Sequence, residues 1–246
     1  MVKLSPLKVW GAFLARPNAD PVKTLGVAFL VALVCSIVVS GTAVYLKPLH
    51  DANRLRASSG SLVEMAEALG VGLPKQRLVD RRTGTYVERS TGEKVTLTAK
   101  QDLAGLNRIE QTLTAYEVHD GDQLRLLILP VRGAGYQSIL HGYLALNADL
   151  NTVAALTFYQ QDETPGMGAR ITEKQWQDLW RDKQIGSGDG VIRLRVVSGA
   201  ASGSHEVDGI SGATRTGNGV SNLVQFWLGE HGYGPYLARL GQRGAS

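Results

Sequence analysis

Residues 208–220 read DGISGATRTGNGV, and the chain continues as SNLVQFWL. In that continuation Val220, Leu223, Val224, Trp227 and Leu228 fall at i, i+3, i+4, i+7 and i+8. This spacing predicts an amphipathic helix with one apolar stripe laid on a core, stopped by Gly232 and Gly234-Pro235. The segment before the stripe holds small and hydroxyl-bearing residues, and the helix is expected to begin near Asn218 with Thr216 or Asn218 as its cap. A helix N-terminus presents unpaired N–H groups and the positive end of a dipole, which suit an anion. Gly209 and Gly212 let the backbone approach a bulky group, and Thr214 offers a hydroxyl. On spacing alone two readings stand: a phosphate cradle, and a Gly-rich turn whose Ser and Thr only cap a helix.

Working outward, the middle of the chain alternates in the manner of strands. LRLLIL (124–129) follows the turn-like Asp120-Gly121-Asp122, so 115–129 reads as a hairpin. GYLAL (142–146) and TVAALTFYQ (152–160) flank NADLN and read as a second. Glu163-Thr164-Pro165-Gly166-Met167-Gly168 reads as a type II turn with Pro165 and Gly166 at its centre. Thr172 and Gln175 make a capping-box pattern before Trp176, Leu179 and Trp180, which would share a helix face. GVIRLRVV (190–197) alternates again, with Arg193 and Arg195 outward. Strands and helices mix without regular βαβ alternation, so the fold class is α+β.

The first part of the chain differs in kind. Residues 24–46 read TLGVAFLVALVCSIVVSGTAVYL without one charged residue. As a helix this run is roughly 35 Å long, enough to cross a hydrocarbon core. Gly41-Thr42-Ala43 resembles a signal-peptidase site, but the run exceeds the usual h-region, and an uncleaved anchor is the reading. The positive charges of Lys3, Lys8, Arg16 and Lys23, against those of Lys47, Arg54 and Arg56, favour a cytoplasmic N-terminus. Residues 50–69 read as a separate helix after the anchor, with Leu55, Leu62, Met65, Ala66 and Leu69 on one face.

Composition removes several functions. An apolar share of 43% is that of a folded protein. The net charge is +4, but the Lys and Arg are scattered, and nucleic-acid binding is not expected. Cys35 is the sole cysteine, so no intrachain disulfide, thiolate zinc cage or iron–sulfur cluster can form. The five histidines have no ligand spacing, and no metal site is expected. No GxSxG or GxxxxGK[ST] is present, and Gly133-Ala134-Gly135 lacks the third glycine of a dinucleotide fingerprint.

Three blocks carry a family resemblance: LKPLHDANRLR (46–56), HGYLALNADLNTVAALTFYQQDETPGMG (141–168) and VDGISGATRTGNGVSNLVQFWLGEHGYGPYL (207–237). Together, behind one anchor, they resemble the C subunit of the sodium-translocating NADH:quinone oxidoreductase. The resemblance implies a cytoplasmic segment (1–23), a single transmembrane helix (24–46) and a periplasmic α+β FMN-binding domain (47–246), in a bacterial inner membrane. It implies a flavin transferase that esterifies FMN through its phosphate to Thr214, with Asp208, Ser211, Gly212 and Ala213 completing the recognised segment; Thr216 is a minor alternative acceptor. It also implies that Glu163, Thr164, Gly166, Met167 and Gly168 pack on the flavin ring, Met167 standing where the family has Leu. Where the family tends to read G-x-G-L-W, this chain has Gly133-Ala134-Gly135-Tyr136-Gln137, and Tyr136 is the expected aromatic contact. The implied function is electron transfer among the complex's other subunits during NADH oxidation, ubiquinone reduction and Na+ export, with no NADH oxidation by the isolated chain. The alternatives are the homologous G subunit of the Rnf ferredoxin:NAD+ oxidoreductase, another flavinylated carrier, or an anchored binding protein without redox chemistry.

Overall fold

The computed structural model describes residues 15, 17 and 20–244, with side chains to residue 242. The charges assigned above to Lys3, Lys8 and Arg16, and most of segment 1–23, lie outside the described residues. The chain divides into two compact units, Met1–Leu55 and Arg56–Ser246.

Helix α1 spans Pro21–Ala68. The sequence reads two helices here, 24–46 and 50–69, whereas the structure holds one. Pro48 lies inside it and forfeits one backbone bond without ending it. An 18-residue window of α1 has mean hydropathy 2.5 and none of it is buried, so α1 is long and apolar enough to cross a membrane.

In the second unit β1 (Lys75–Asp80), β2 (Lys94–Thr96), β3 (Arg108–Glu110), β4 (Thr112–Asp120), β5 (Gln123–Ala134), β6 (Ile139–Asn147) and β7 (Val153–Gln160) follow one another. β1, β4, β5, β6 and β7 form one antiparallel sheet in that order, and β2 pairs with β3 apart from it. Both expected hairpins are present: β4–β5 turns at Gly121, and β6 pairs with β7. One turn of helix, α2 (Lys174–Gln177), precedes the short parallel pair β8 (Arg195–Val196) and β9 (Glu206–Val207). Helices α3 (Thr214–Leu228) and α4 (Gly234–Gly244) close the chain.

The sheet is buried on both faces. Leu127, Leu129 and Val131 face one core with the predicted stripe of α3, namely Val220, Leu223, Val224, Trp227 and Leu228. Leu126 and Ile128 face a second core with Met65 of α1, joined by Leu62 and Leu69. Two covered faces explain why LRLLIL is nearly continuous in apolar residues rather than alternating. Leu55, expected on the packed face of this helix, is exposed. Two side chains tie α3 and the segment after it to the sheet: Trp227 Nε1 donates to the Arg132 carbonyl at 2.6 Å, and Tyr233 Oη lies 2.7 Å from the Thr114 carbonyl oxygen.

Three local expectations are corrected. Thr172 does not cap α2: it ends a 3₁₀ turn (Gly168–Thr172) and its hydroxyl donates back to the Ala169 carbonyl, leaving Glu173 at the cap. Because α2 lasts one turn, Trp176 and Trp180 are buried in edge-to-face contact while Leu179 is turned outward. The strand expected over 190–197 is reduced to two residues. Arg193 forks onto Asp189, and the amides of Arg193 and Leu194 donate to the Ile185 carbonyl, which takes them out of a ladder. Trp180→Ala should therefore lower the stability of the detergent-solubilised chain by about 3–5 kcal/mol. Leu179→Ala should change it by about 0.5 kcal/mol or less, both read from denaturant melts.

Candidate functional site

α3 begins four residues earlier than the sequence suggests, at Thr214 rather than near Asn218. Gly217 and Gly219 are poor helix formers, and local propensity places the start after them. Packing overrides it. A Cβ at Gly219 would sit 2.4 Å from the Ala134 carbonyl oxygen, so glycine lets the first turns of α3 descend onto the end of β5. Nor does Thr216 cap the helix, whose cap, Ala213, has no side-chain hydrogen bond. Thr216 is 2% exposed, and its hydroxyl donates to Glu163 Oε2 at 2.6 Å.

Glu163 is the centre of this arrangement. It lies beyond the end of β7, is buried, and turns its carboxylate to the loop between β5 and β6. Oε1 accepts from the amides of Tyr136 (3.0 Å), Gln137 (2.9 Å) and Ser138 (3.2 Å), while Oε2 takes the Thr216 hydroxyl. Burial pushes the Glu163 pKa up, but the Thr216 hydroxyl and the three amides outweigh it and hold the carboxyl below its usual value. One carboxylate thus joins the 135–138 loop, its own loop and the first turn of α3. Gly168 is needed beside it, because a Cβ there would meet Thr216 Oγ1 at 2.6 Å and Glu163 Oε2 at 2.8 Å. The next residues form the expected turn: the Met167 amide donates to the Thr164 carbonyl at 3.1 Å, and Gly166 has φ +74°.

A cleft of about 340 Å³ opens over this hub. Tyr136, Glu163, Thr164, Met167 and Gly168 line one side, and Gly212, Ala213 and Thr214 the other. A second cleft, of about 280 Å³, shares Gly212, Ala213 and Thr214 and is lined by Val197, Gly209 and Ser211. Thr214 adjoins both and is exposed. The first amides of α3, those of Thr214, Arg215 and Thr216, have no carbonyl one turn back within the helix. Tyr136 is 54% exposed and Met167 44%, an apolar pair left open to solvent at the rim of the first cleft.

Two of the expected site residues lie elsewhere. Gly166 lines neither cleft. Asp208 also lines neither: its carboxylate accepts from the Ala201 amide at 2.7 Å, and its carbonyl accepts from Trp176 Nε1 at 2.9 Å. Sequence reasoning missed Arg215 and Gln137. The Arg215 guanidinium lies over the Tyr136 ring at 5.2 Å, and Gln137 Nε2 donates to Thr164 Oγ1 at 2.7 Å. Both contacts join segments far apart in the chain, and no spacing pattern reports such pairs.

A chain with this site matches known proteins over most of its length. The FMN-binding domain family matches residues 135–229, which begin at the Glu163-bound loop and end at the close of α3. The C subunit of the Na(+)-translocating NADH-quinone reductase of Vibrio alginolyticus is 36% identical, covering 92% of this chain and 98% of its own. The chain belongs to this C-subunit family. The Pseudomonas aeruginosa member is 37% identical over 89% of this chain and 95% of its own. Among solved structures, the Shewanella oneidensis member, NqrC, superposes with a TM-score of 0.65 at 28% identity, covering 71% of this chain and 85% of that one. The Parabacteroides distasonis member gives a TM-score of 0.52 at 27% identity, over 67% and 78%.

The residues present suit FMN. An exposed hydroxyl at a helix N-terminus with open amides meets the needs of a phosphate group, and the exposed Tyr136–Met167 pair those of an apolar ring. Glu163→Gln would place an amide NH2 among four donors and remove the charge they serve. It should cost about 2 kcal/mol at pH 7. Because the folded-state pKa is depressed, the wild-type advantage is complete above the ordinary Glu value of about 4.3 and fades as the pH falls through the folded-state value. Melts from pH 7 to pH 3 should show the two curves converging at the acid end.

Proposed function

We propose that this chain is the FMN-carrying electron-transfer subunit of a Na+-translocating NADH:quinone reductase, with the flavin esterified through its phosphate to Thr214. The supporting observation is the contrast between two hydroxyls two residues apart. Thr214 is exposed between two clefts at the helix N-terminus, whereas Thr216 is buried and committed to Glu163. A flavin transferase would act on the free hydroxyl. The Thr214 hydroxyl loses its proton, its oxygen bonds to the flavin-side phosphorus of FAD, and AMP leaves as the anhydride bond breaks.

When bound, FMN supplies reversible electron uptake and release. The chain's own residues hold it and shape its surroundings. The amides of Arg215 and Thr216 and the α3 dipole favour the phosphodiester charge. Tyr136, carrying Arg215 on its face, and Met167 give the ring an apolar wall, and Gln137 fixes Thr164 beside it. Glu163 performs no proton transfer: it stays ionised and positions the three segments that form the wall. The domain is periplasmic, its anchor α1 crosses the inner membrane once, and its redox neighbours are the other subunits of the complex, which oxidise NADH, reduce quinone and export Na+.

The test is in-gel flavin fluorescence after co-expression with an active flavin transferase. Wild type should fluoresce after denaturation and Thr214→Val should be dark, with both folded as judged by their melts. A fluorescent Thr214→Val band would contradict the assignment.

A further inference from the structure

Away from the flavin site, a cation is buried without a direct ion pair, though the charge of the neighbouring Asp80 acts on it. Arg81 follows β1 and is 8% exposed. Its Nη1 donates to the His231 carbonyl at 3.2 Å, while its Nε has no hydrogen-bond partner. Among the described residues no carboxylate lies within 4.0 Å of its guanidinium. The adjacent Asp80 is engaged elsewhere: its carboxylate accepts from the Arg82 and Thr83 amides, the Thr83 hydroxyl and Gln111 Nε2. Burial lowers the Arg81 pKa, yet arginine keeps its proton, so the positive charge stays. Buried charges are ordinarily paired, because desolvation costs several kcal/mol per ion.

Asp80 offsets part of this charge without touching the guanidinium, and the cleft beside it supplies no carboxylate in contact with Arg81. Arg81 lines a cleft of about 300 Å³ with Arg82, Thr96, Gln101, Glu230 and His231, contributed by three segments of the chain. Arg82 brings a second cation and is exposed. The one carboxylate at the cleft, that of Glu230, is turned to His231 Nε2 at 3.1 Å and is otherwise in solvent. From these groups we infer that the cleft under Arg81 and Arg82 is an oxyanion site that takes a phosphate-sized tetrahedral anion. A free phosphate and the headgroup phosphate of a lipid share this chemistry. The site is independent of the flavin, and its failure would leave the Thr214 assignment untouched.

The experiment is calorimetric titration of inorganic phosphate into the full chain, in non-ionic detergent and phosphate-free chloride buffer. Wild type should bind one phosphate saturably. Arg81→Gln and Arg82→Gln should each weaken binding by about tenfold or more, the loss expected for a charge-assisted hydrogen bond. Arg82 is exposed, so its variant keeps the test decisive if Arg81→Gln fails to fold. Absence of saturable binding below about 10 mM phosphate, or undiminished binding by Arg82→Gln, would overturn the site. Repeating the titration in nanodiscs of phosphatidylglycerol and of a phosphate-free glycolipid separates the sources. Equal affinity in both assigns the site to a soluble anion, and a tenfold weaker apparent affinity in phosphatidylglycerol assigns it to a headgroup.

Discussion

The site depends on one buried carboxylate. Glu163 gathers three consecutive amides of the 135–138 loop and the Thr216 hydroxyl of α3. Without a negative charge at that point, four donors would be left in a poorly solvated space, at a cost of about 1–3 kcal/mol for each one unmet. With it, the end of the sheet, the loop after β7 and the start of α3 are held at fixed separation. Thr214, Tyr136 and Met167 are then arranged around one cleft as a consequence of that bond set. Glycine at 168 and 219 belongs to the same constraint, since a side chain at either would push the joined segments apart.

This constraint also divides the labour between two neighbouring threonines. Thr216 faces inward and is consumed as a structural donor, while Thr214 stands at the first helical position and stays accessible. The hydroxyl that builds the site is therefore not the one proposed to carry the cofactor. Arg215, between them, reaches outward over Tyr136. Three consecutive residues of one helical turn thus point to three tasks.

Much of this was legible in the chain. The stripe Val220–Leu223–Val224–Trp227–Leu228 is buried as its spacing required, both hairpins form, and the Pro165-Gly166 turn is type II in its hydrogen bond and its positive φ. Legibility ended where a side chain is used at long range. The onset of α3 is hidden in the sequence because Thr216 has the chemistry of a cap but bonds to Glu163, and because Gly217 and Gly219 have the propensity of helix breakers yet serve close packing. Thr172 likewise has the chemistry of a cap and serves a 3₁₀ turn. Asp208 is part of the DGISGAT element, yet it braces the 199–201 backbone and Trp176 rather than lining a cleft. Arg215 over Tyr136 and Gln137 on Thr164 left no trace in spacing, since each pairs residues from separate elements.

The central claim is that covalent FMN sits on Thr214 and not on Thr216. The chain itself offers a direct way to separate them, because Arg215 lies between the two hydroxyls. Trypsin should cut there, giving a 196–215 peptide that holds Thr214 and a 216–239 peptide that holds Thr216. Mass spectrometry of the digested, transferase-treated protein should find the mass of a phosphate-linked FMN on the 196–215 peptide, with fragment ions placing it on Thr214. The same mass on the 216–239 peptide, or on neither, would contradict the account.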